Sequence, residues 1–170
     1  MNLFLIGYRC TGKTTVGQTL AQRLEWTFVD TDRMIEEAAG TTIAHLVDDN
    51  GWPFFREKEH EALAAACERQ DRVIATGGGI ILDPRNVAAM KNTGCVVWMT
   101  ASETIIHERL LADETTASSR PPLTDQGLLE EIKIVLKERT PLYAEAADLV
   151  IDTDRATVEE ICSQIVAELK

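Results

Sequence analysis

Residues 7–14 are Gly7-Tyr8-Arg9-Cys10-Thr11-Gly12-Lys13-Thr14, and they fit the phosphate-binding pattern of Gly, four variable residues, Gly, Lys and then Ser or Thr. The apolar run 3–6 before them predicts a buried strand, and the residues after them predict a helix that ends near Leu24. In this strand–loop–helix context the glycines let successive backbone N–H groups point at phosphate oxygens. Lys13 supplies a positive charge for the β and γ phosphates, and Thr14 offers a hydroxyl to Mg²⁺. The stretch predicts a nucleoside triphosphate site, and its context disfavours the alternative, a chance match in a turn.

The composition indicates one domain, residues 1–170, that is long enough to bury a substantial core. Hydrophobic residues make up 45% and charged residues 26%, which is typical of a soluble globular protein. The net charge of −11 disfavours a nucleic-acid binder, because such proteins usually carry a basic patch. An acidic chain that binds anions must gather its positive charges locally, so arginines beside motifs are informative.

The sequence also predicts a cytoplasmic protein with no membrane partner. No apolar stretch approaches the length of a membrane span, and the first residues lack the basic start and cleavage site of a signal peptide. The four cysteines are scattered without a Cys-x-x-Cys pair, so we expect reduced thiols.

Short runs rich in Val and Ile alternate with longer helical patterns along the chain. Strands are predicted at 3–6, 27–30, 73–76, 95–100 and 149–152. Helices are predicted at 13–24, 33–39, 43–49, 54–68, 84–91, 102–111, 128–146 and 157–169. This alternation favours an α/β fold with a parallel sheet covered by helices on both faces. Ligands of such sheets bind beyond the carboxyl ends of the strands.

The second predicted strand ends in two carboxylates, Asp30 and Asp32. On an extended chain, side chains two residues apart point to the same side, so both are expected to face a ligand beyond the strand. In phosphoryl transfer, one can lie near the metal while the other orients or deprotonates a substrate hydroxyl. The alternative is that an Asp caps the following helix, a common role of this residue type.

Three glycines, Gly77, Gly78 and Gly79, follow the third predicted strand. Because they carry no side chains, a ligand could touch the backbone there directly. The alternative is a loop that needs a positive φ, which one glycine would satisfy.

Arg56 and Arg139 each stand beside a motif, and guanidinium groups suit bidentate binding of a carboxylate. Glu59, three residues after Arg56 on a predicted helix, could hold its guanidinium in place. The alternative for both arginines is a solvated or salt-bridged surface position.

The segment 112–124 begins with small polar residues and contains Arg120. We interpret it as a lid that excludes water and brings Arg120 to the transferring phosphate, with a plain surface loop as the alternative. Arg109 and Arg155 are weaker candidates for flanking an adenine ring, and surface positions are equally compatible with the sequence.

Together these motifs resemble those of the shikimate kinase family, small P-loop enzymes similar to nucleoside-monophosphate kinases. The matching segments span nearly the whole chain in the family's order, at 7–15 with Gly17, 28–32, Gly51-Trp52, Phe55-Arg56, 75–79, Arg120-Pro121 and 139–143. The phosphate loop alone is shared by many enzymes, whereas the Asp-Thr-Asp, triple-glycine and two-arginine set is specific.

The resemblance implies ATP-dependent phosphorylation of the 3-hydroxyl of shikimate to shikimate 3-phosphate, on the route to chorismate and the aromatic amino acids. It implies a three-layer P-loop fold with a five-stranded parallel sheet in the order 2-3-1-4-5. It also implies a substrate-binding region near 33–61 and a lid near 112–124. A domain of this size is most simply a monomer.

The resemblance further implies roles for individual residues, beside the adenine candidates already named. The expected catalytic residues are Lys13, Asp32 and Arg120. The expected ATP contacts are Cys10, Thr11, Gly12, Lys13, Thr14, Thr15, Arg109, Arg120 and Arg155. The expected shikimate contacts are Asp32, Arg56, Gly77, Gly78, Gly79 and Arg139. Mg²⁺ is expected at Thr14 and Asp30.

The sequence departs from the family at two positions. Cys10 stands where the family usually has Gly, and a Cβ at a position of positive φ costs about 1 kcal/mol. Pro122 follows Arg120-Pro121 where the family often has Leu or Thr, which affects the expected placement of Arg120.

Two other functions are compatible with parts of the sequence. Another small-molecule kinase of the same fold, such as a gluconate kinase, also needs arginines for a carboxylate. A nucleotide-dependent switch would share the phosphate loop, but it would have no reason to bring Asp32, Arg56 and Arg139 together.

Overall fold

The computed structural model describes residues 1–113 and 127–169. Its strands are β1 (Asn2–Ile6), β2 (Thr27–Asp30), β3 (Arg72–Ala75), β4 (Gly94–Thr100) and β5 (Leu149–Asp152). They form one parallel sheet in the order β2-β3-β1-β4-β5. The predicted α/β fold and its strand order are therefore confirmed.

The helices flank this sheet and match the predicted ones to within two residues at each end. They are α1 (Lys13–Leu24), α2 (Thr31–Ala39), α3 (Ile43–Asn50), α4 (Trp52–Cys67), α5 (Pro84–Thr93), α6 (Glu103–Ala112), α7 (Leu128–Ala146) and α8 (Val158–Glu168). A short 3₁₀ turn, Ile80–Leu82, precedes α5. In the part of the chain that the structure describes, no helix is long and apolar enough to cross a membrane.

The innermost strand, β1, explains the layered architecture. All five of its residues are buried, and it pairs in parallel with both β3 and β4. Successive side chains of a strand point to opposite faces. Leu3 and Leu5 accordingly pack against α1 and α8, whereas Phe4 and Ile6 pack against α4, α5 and α7. Burial on both faces is why the strand is an unbroken apolar run.

The parallel arrangement brings distant parts of the sequence to one edge of the sheet. Because β1, β2 and β3 are neighbours that run in the same direction, their carboxyl ends lie side by side. The segments 7–12, 30–32 and 76–79, which follow these three strands, therefore meet beyond that edge.

The expectation that Asp30 and Asp32 lie on one extended chain is wrong. Helix α2 begins at Thr31 because the Asp30 side chain accepts hydrogen bonds from the backbone N–H groups of Asp32 (3.1 Å) and Arg33 (3.3 Å). Asp30 is thus the N-cap, the alternative role named above, and Asp32 lies in the first helical turn. The predicted start of α4 was also two residues late, since Pro53 occupies its first turn.

The lid interpretation falls almost entirely outside the described residues. Of the segment 112–124, the structure describes only Ala112 and Asp113, so Arg120 and Pro122 stay with their sequence-based predictions.

We expect Gly17→Ala to lower the free energy of unfolding by about 1–2 kcal/mol, because a Cβ there overpacks the contact of α1 with the sheet. That Cβ would lie 2.5 Å from Cε2 of Phe28 and 3.2 Å from Cδ1 of Leu5. The gain of about 1 kcal/mol in helix propensity only partly offsets the cost. Urea unfolding measures the change, with Gln18→Ala at the exposed neighbouring position as the matched control. A G17A protein as stable as wild type would contradict this packing.

Candidate active site

The phosphate loop, residues 7–12, curls because three of its residues have a positive φ. Gly7 has φ 140°, Cys10 has φ 57° and Gly12 has φ 88°. Cys10 carries a side chain in a left-handed conformation that costs about 1 kcal/mol for such residues. The loop is closed by Thr11, whose hydroxyl donates to the carbonyl of Tyr8 at 2.9 Å.

Lys13 extends over this loop from the first turn of α1. Its Nζ donates to the carbonyl oxygens of Gly7 (2.8 Å) and Tyr8 (2.7 Å). The ammonium is thereby held at the rim where the N-terminus of α1 also contributes positive potential. The arrangement suits the β and γ phosphates of a nucleotide.

The loop borders an open pocket, here called the phosphate pocket. It is lined by Arg9, Cys10, Gly12, Lys13, Thr14, Thr15, Asp30, Asp32, Ala75, Thr76 and Asp113. Most of the predicted ATP contacts of the loop thus share one pocket, while Thr11 is buried.

Thr14 and Asp30, the predicted metal ligands, are direct neighbours in the phosphate pocket. The hydroxyl of Thr14 donates to Oδ2 of Asp30 at 3.1 Å. Mg²⁺ is usually bound by one or two protein oxygens together with substrate phosphates and water. One hydroxyl and one carboxylate beside a phosphate loop fit that requirement.

A second pocket adjoins the first and is here called the arginine pocket. It is lined by Tyr8, Arg9, Asp32, Ile43, Trp52, Phe55, Arg56, Glu59, Gly77, Gly78, Gly79 and Arg139. The structure therefore brings together all six residues that the family resemblance implied as shikimate contacts, although they come from four separate parts of the chain.

Arg56 is held by contacts on several sides. Its Nη1 donates to Oε2 of Glu59 at 2.5 Å, as the spacing on α4 predicted. The guanidinium also lies 5.1 Å from the ring centroid of Trp52 and 5.2 Å from that of Phe55. Such cation–π contacts fix its plane and direction. The cation is therefore oriented before any ligand arrives.

Arg139 is buried and is placed by the loop of glycines. Its Nη1 donates to the carbonyl of Gly78 at 3.1 Å, and the hydroxyl of Tyr143, one turn later on α7, donates to the same carbonyl. Burial raises the pKa of Tyr143 to about 12, so its hydroxyl remains a donor at neutral pH. Two donors on one carbonyl anchor α7 against this loop.

Two of the three glycines, Gly77 and Gly79, leave room for charged side chains of the protein. None of the three has a positive φ in the described chain, so the turn alternative does not explain them. A Cβ on Gly79 would overlap the guanidinium of Arg56, and one on Gly77 would lie 2.6 Å from Oε1 of Glu59. The missing side chains therefore make room for the charged groups of the protein itself as well as for the open pocket.

Glu59 is buried beside Arg56, and its two carboxylate oxygens differ in their hydrogen bonding. Its Oε1 has no hydrogen-bond partner among the described residues. Burial raises the pKa of this carboxyl, and the charge of Arg56 opposes that shift. A buried acceptor of this kind favours a donor from a ligand, such as a hydroxyl.

Arg109 and Arg155 lie near the loop that follows β5. Arg109 donates through Nη1 to the carbonyl of Cys10 (3.1 Å) and through Nη2 to the carbonyl of Thr153 (2.7 Å). It braces that loop against the phosphate loop, so it is not a simple surface arginine. Arg155 is exposed two residues beyond Thr153.

Five residues of the arginine pocket had no individual role predicted from the sequence, although the last three lie in the expected substrate-binding region 33–61: Tyr8, Arg9, Ile43, Trp52 and Phe55. Tyr8 and Arg9 occupy variable positions of the phosphate-binding pattern, so the pattern assigns them nothing. The sequence did contain one indication for Arg9, namely that a positively charged residue lies inside a loop predicted to bind phosphate.

Comparisons with known proteins agree with this geometry. A family model described as Shikimate kinase matches residues 9–170. The chain is 42% identical to a shikimate kinase of Syntrophus aciditrophicus over 96% of this chain and 88% of the relative. It is 43% identical to one of Nitratidesulfovibrio vulgaris over 98% and 94% of the two chains. The solved shikimate kinase from Acinetobacter baumannii in complex with shikimate is similar with a TM-score of 0.91 and 32% identity, over 99% and 92% of the chains.

We expect Glu59→Gln to change how stability depends on pH. The raised pKa of Glu59 means that the folded protein holds this proton to a higher pH than the unfolded chain does. Wild type should therefore lose stability relative to E59Q as the pH rises from about 4.5 through the raised pKa. Urea unfolding at several pH values measures the difference, with the exposed Glu61→Gln on the same helix as control. A pH-independent difference would contradict the shift.

Proposed function

The chain belongs to the shikimate kinase family, and we propose that it transfers the γ-phosphoryl group of ATP to the 3-hydroxyl of shikimate. The product would be shikimate 3-phosphate, a precursor of chorismate and the aromatic amino acids. The observation that carries the proposal is that the phosphate pocket and the arginine pocket adjoin and share Arg9 and Asp32. A triphosphate in one pocket and a hydroxylated acid in the other would meet at these residues.

The acid is held by the arginine pocket. Arg56 and Arg139 bind the carboxylate, since each guanidinium offers several donors with a fixed direction. Gly77, Gly78 and Gly79 leave the backbone open on the remaining side. The similar shikimate kinase from Acinetobacter baumannii was solved in complex with shikimate, which supports an acid of this kind as the ligand.

Transfer takes place in line between the two pockets. A bond forms between the substrate hydroxyl oxygen and the γ-phosphorus, while the bond from that phosphorus to the bridging oxygen breaks and leaves its electron pair on ADP. Asp32 orients the hydroxyl and accepts its proton. Lys13 and Arg120 balance the charge of the transferring group.

Thr14 and Asp30 are the residues that would hold Mg²⁺. When bound, the metal neutralises charge on the phosphate oxygens. Cys10, Thr11, Gly12 and Thr15 complete the cradle of the phosphates, and Arg109 and Arg155 flank the adenine.

The proposal also covers the domain organisation, the oligomeric state and the cellular location of the protein. Residues 1–170 form a single P-loop domain with the substrate-binding region at 33–61 and the lid at 112–124. The protein acts as a monomer in the cytoplasm, where the thiols of its four cysteines remain reduced.

We expect Lys13→Ala to lower kcat with shikimate by about 100-fold or more, because a charged donor to the transferring phosphate is lost. Release of ADP is measured with shikimate and with gluconate side by side, and only shikimate should support wild-type turnover. Lys91→Ala, an exposed lysine of α5, is the control and should keep wild-type activity. Equal turnover of gluconate would contradict the substrate, and normal turnover by K13A would contradict the mechanism.

Asp30→Asn isolates the metal role of Asp30 from its structural role. Asn caps helices as well as Asp does, so we expect the thermal stability to change little. The Mg²⁺ concentration that gives half-maximal activity should rise by about 10-fold, because a carboxylate beside the metal is lost. The exposed Asp48→Asn is the control. An unchanged Mg²⁺ requirement would place the metal elsewhere.

A further inference from the structure

Arg9 occupies the junction between the two pockets. It is the second residue after Gly7 in the phosphate loop, and it lines both the phosphate pocket and the arginine pocket. Among the described residues, it shares this position only with Asp32. A group that passes from one pocket to the other must therefore pass both side chains.

The Arg9 side chain is mostly enclosed and is held by an ion pair. It is 11% exposed, and its Nη2 donates to Oε1 of Glu131, whose side chain is 5% exposed. Glu131 lies at the start of α7, the helix that also carries Arg139. An ion pair in so little solvent is weakly screened and keeps the guanidinium in one orientation.

The guanidinium has hydrogen-bonding capacity beyond its contact with Glu131. Within residues 1–113 and 127–169, neither the Nε of Arg9 nor the hydroxyl of Tyr8 makes a hydrogen bond of normal geometry, and both atoms are buried. The guanidinium carbon lies 5.6 Å from the ring centroid of Tyr8, so the two donors are close together. The two groups also interact with each other, since Arg9 opposes the rise that burial gives to the pKa of the Tyr8 hydroxyl. Buried hydrogen-bonding capacity that is only partly used is rare and points to a ligand rich in oxygen.

The electrostatics of the junction point to a phosphoryl group as that ligand. Asp32 and Glu59 both line the arginine pocket, so a phosphoryl group that arrives there meets negative charge. Arg56 already binds Glu59, and Arg139 binds the carbonyl of Gly78. Arg9 is placed to supply a positive charge at the point where the transferring oxygens pass.

We propose that Arg9 is a further catalytic residue, which donates a hydrogen bond to the phosphoryl group in flight, and that Glu131 is its positioning residue. The inference rests on the proposed phosphorylation of shikimate. Arg9 keeps its proton throughout the reaction. The new bond joins the hydroxyl oxygen to the γ-phosphorus, and the bond from that phosphorus to the bridging oxygen breaks and leaves its electron pair on ADP. The hydroxyl proton goes to Asp32. The hydrogen bond strengthens as charge spreads over the transferring oxygens, so it acts mainly on kcat.

The test compares Arg9→Gln and Arg9→Lys with wild type. We expect R9Q to lower kcat by about 100-fold while KM for ATP and for shikimate changes by less than about 3-fold. R9K keeps the charge and loses the planar donors, so its kcat should fall between the two. Arg23→Gln, an exposed arginine of α1 that bonds to Ser163, is the matched control and should keep wild-type kcat.

Equilibrium binding separates this role from a merely structural one. Calorimetric titration of R9Q should show unchanged affinity for shikimate and at least about 10-fold weaker binding of shikimate 3-phosphate, which carries the transferred group. Equal losses for both ligands would mean that Arg9 only supports the pocket, and would overturn the proposal. Thermal unfolding of R9Q and R9K shows whether each variant is folded under the assay conditions.

The role of Glu131 is tested by a double-mutant cycle. Glu131→Gln should lower kcat less than R9Q, and the double variant should be no slower than R9Q alone, since Glu131 acts through Arg9. Additive losses would overturn the positioning role. Wild-type protein that releases no ADP with shikimate would overturn the proposed function and this inference together, whereas normal wild-type turnover with unchanged kcat in R9Q would overturn the inference alone.

Discussion

The site depends on buried carboxylates that hold arginines in fixed positions. Glu59 fixes Arg56, and Glu131 fixes Arg9, each inside the fold rather than on its surface. Removing a charged pair from water is costly, and such pairs contribute little to stability for that reason. Their value here is orientation. A guanidinium that is already aimed needs no reorganisation when an anion binds or when charge develops on a transferring group.

The parallel sheet makes this concentration of charge possible. Its three neighbouring strands β2, β3 and β1 deliver the cap residue Asp30, the glycines 77–79 and the phosphate loop to one edge. Helices α4 and α7 then reach the same edge from the other face of the core, and they bring Arg56 and Arg139. The nucleotide side and the acid side of the site are therefore parts of one rigid framework, joined at Arg9 and Asp32.

Sequence reasoning predicted much of this, for identifiable reasons. Short runs rich in apolar residues marked the five strands, and the phosphate-binding motif marked the loop, because both are local patterns. Asp32 was misplaced because the hydrogen bonds of Asp30 to the following backbone decide where α2 begins, and either Asp could have been the cap. Gly79 makes room for Arg56, which lies on a different element, α4. A contact between distant residues of this kind leaves no pattern in the local sequence. Arg9 stands at a position that the motif leaves open, and only its partner on α7 reveals it.

The balance of charge in the arginine pocket has a consequence for how fast a ligand arrives. Arg9, Arg56 and Arg139 are balanced by Asp32 and Glu59 in the pocket and by Glu131 behind Arg9, so the positive and negative groups nearly cancel at a distance. The protein as a whole carries a net charge of −11 and repels anions. Attraction is therefore confined to the last few ångströms, and no long-range steering assists the encounter. Added electrolyte, which screens the overall repulsion, would accelerate association of an anionic acid with this enzyme instead of slowing it.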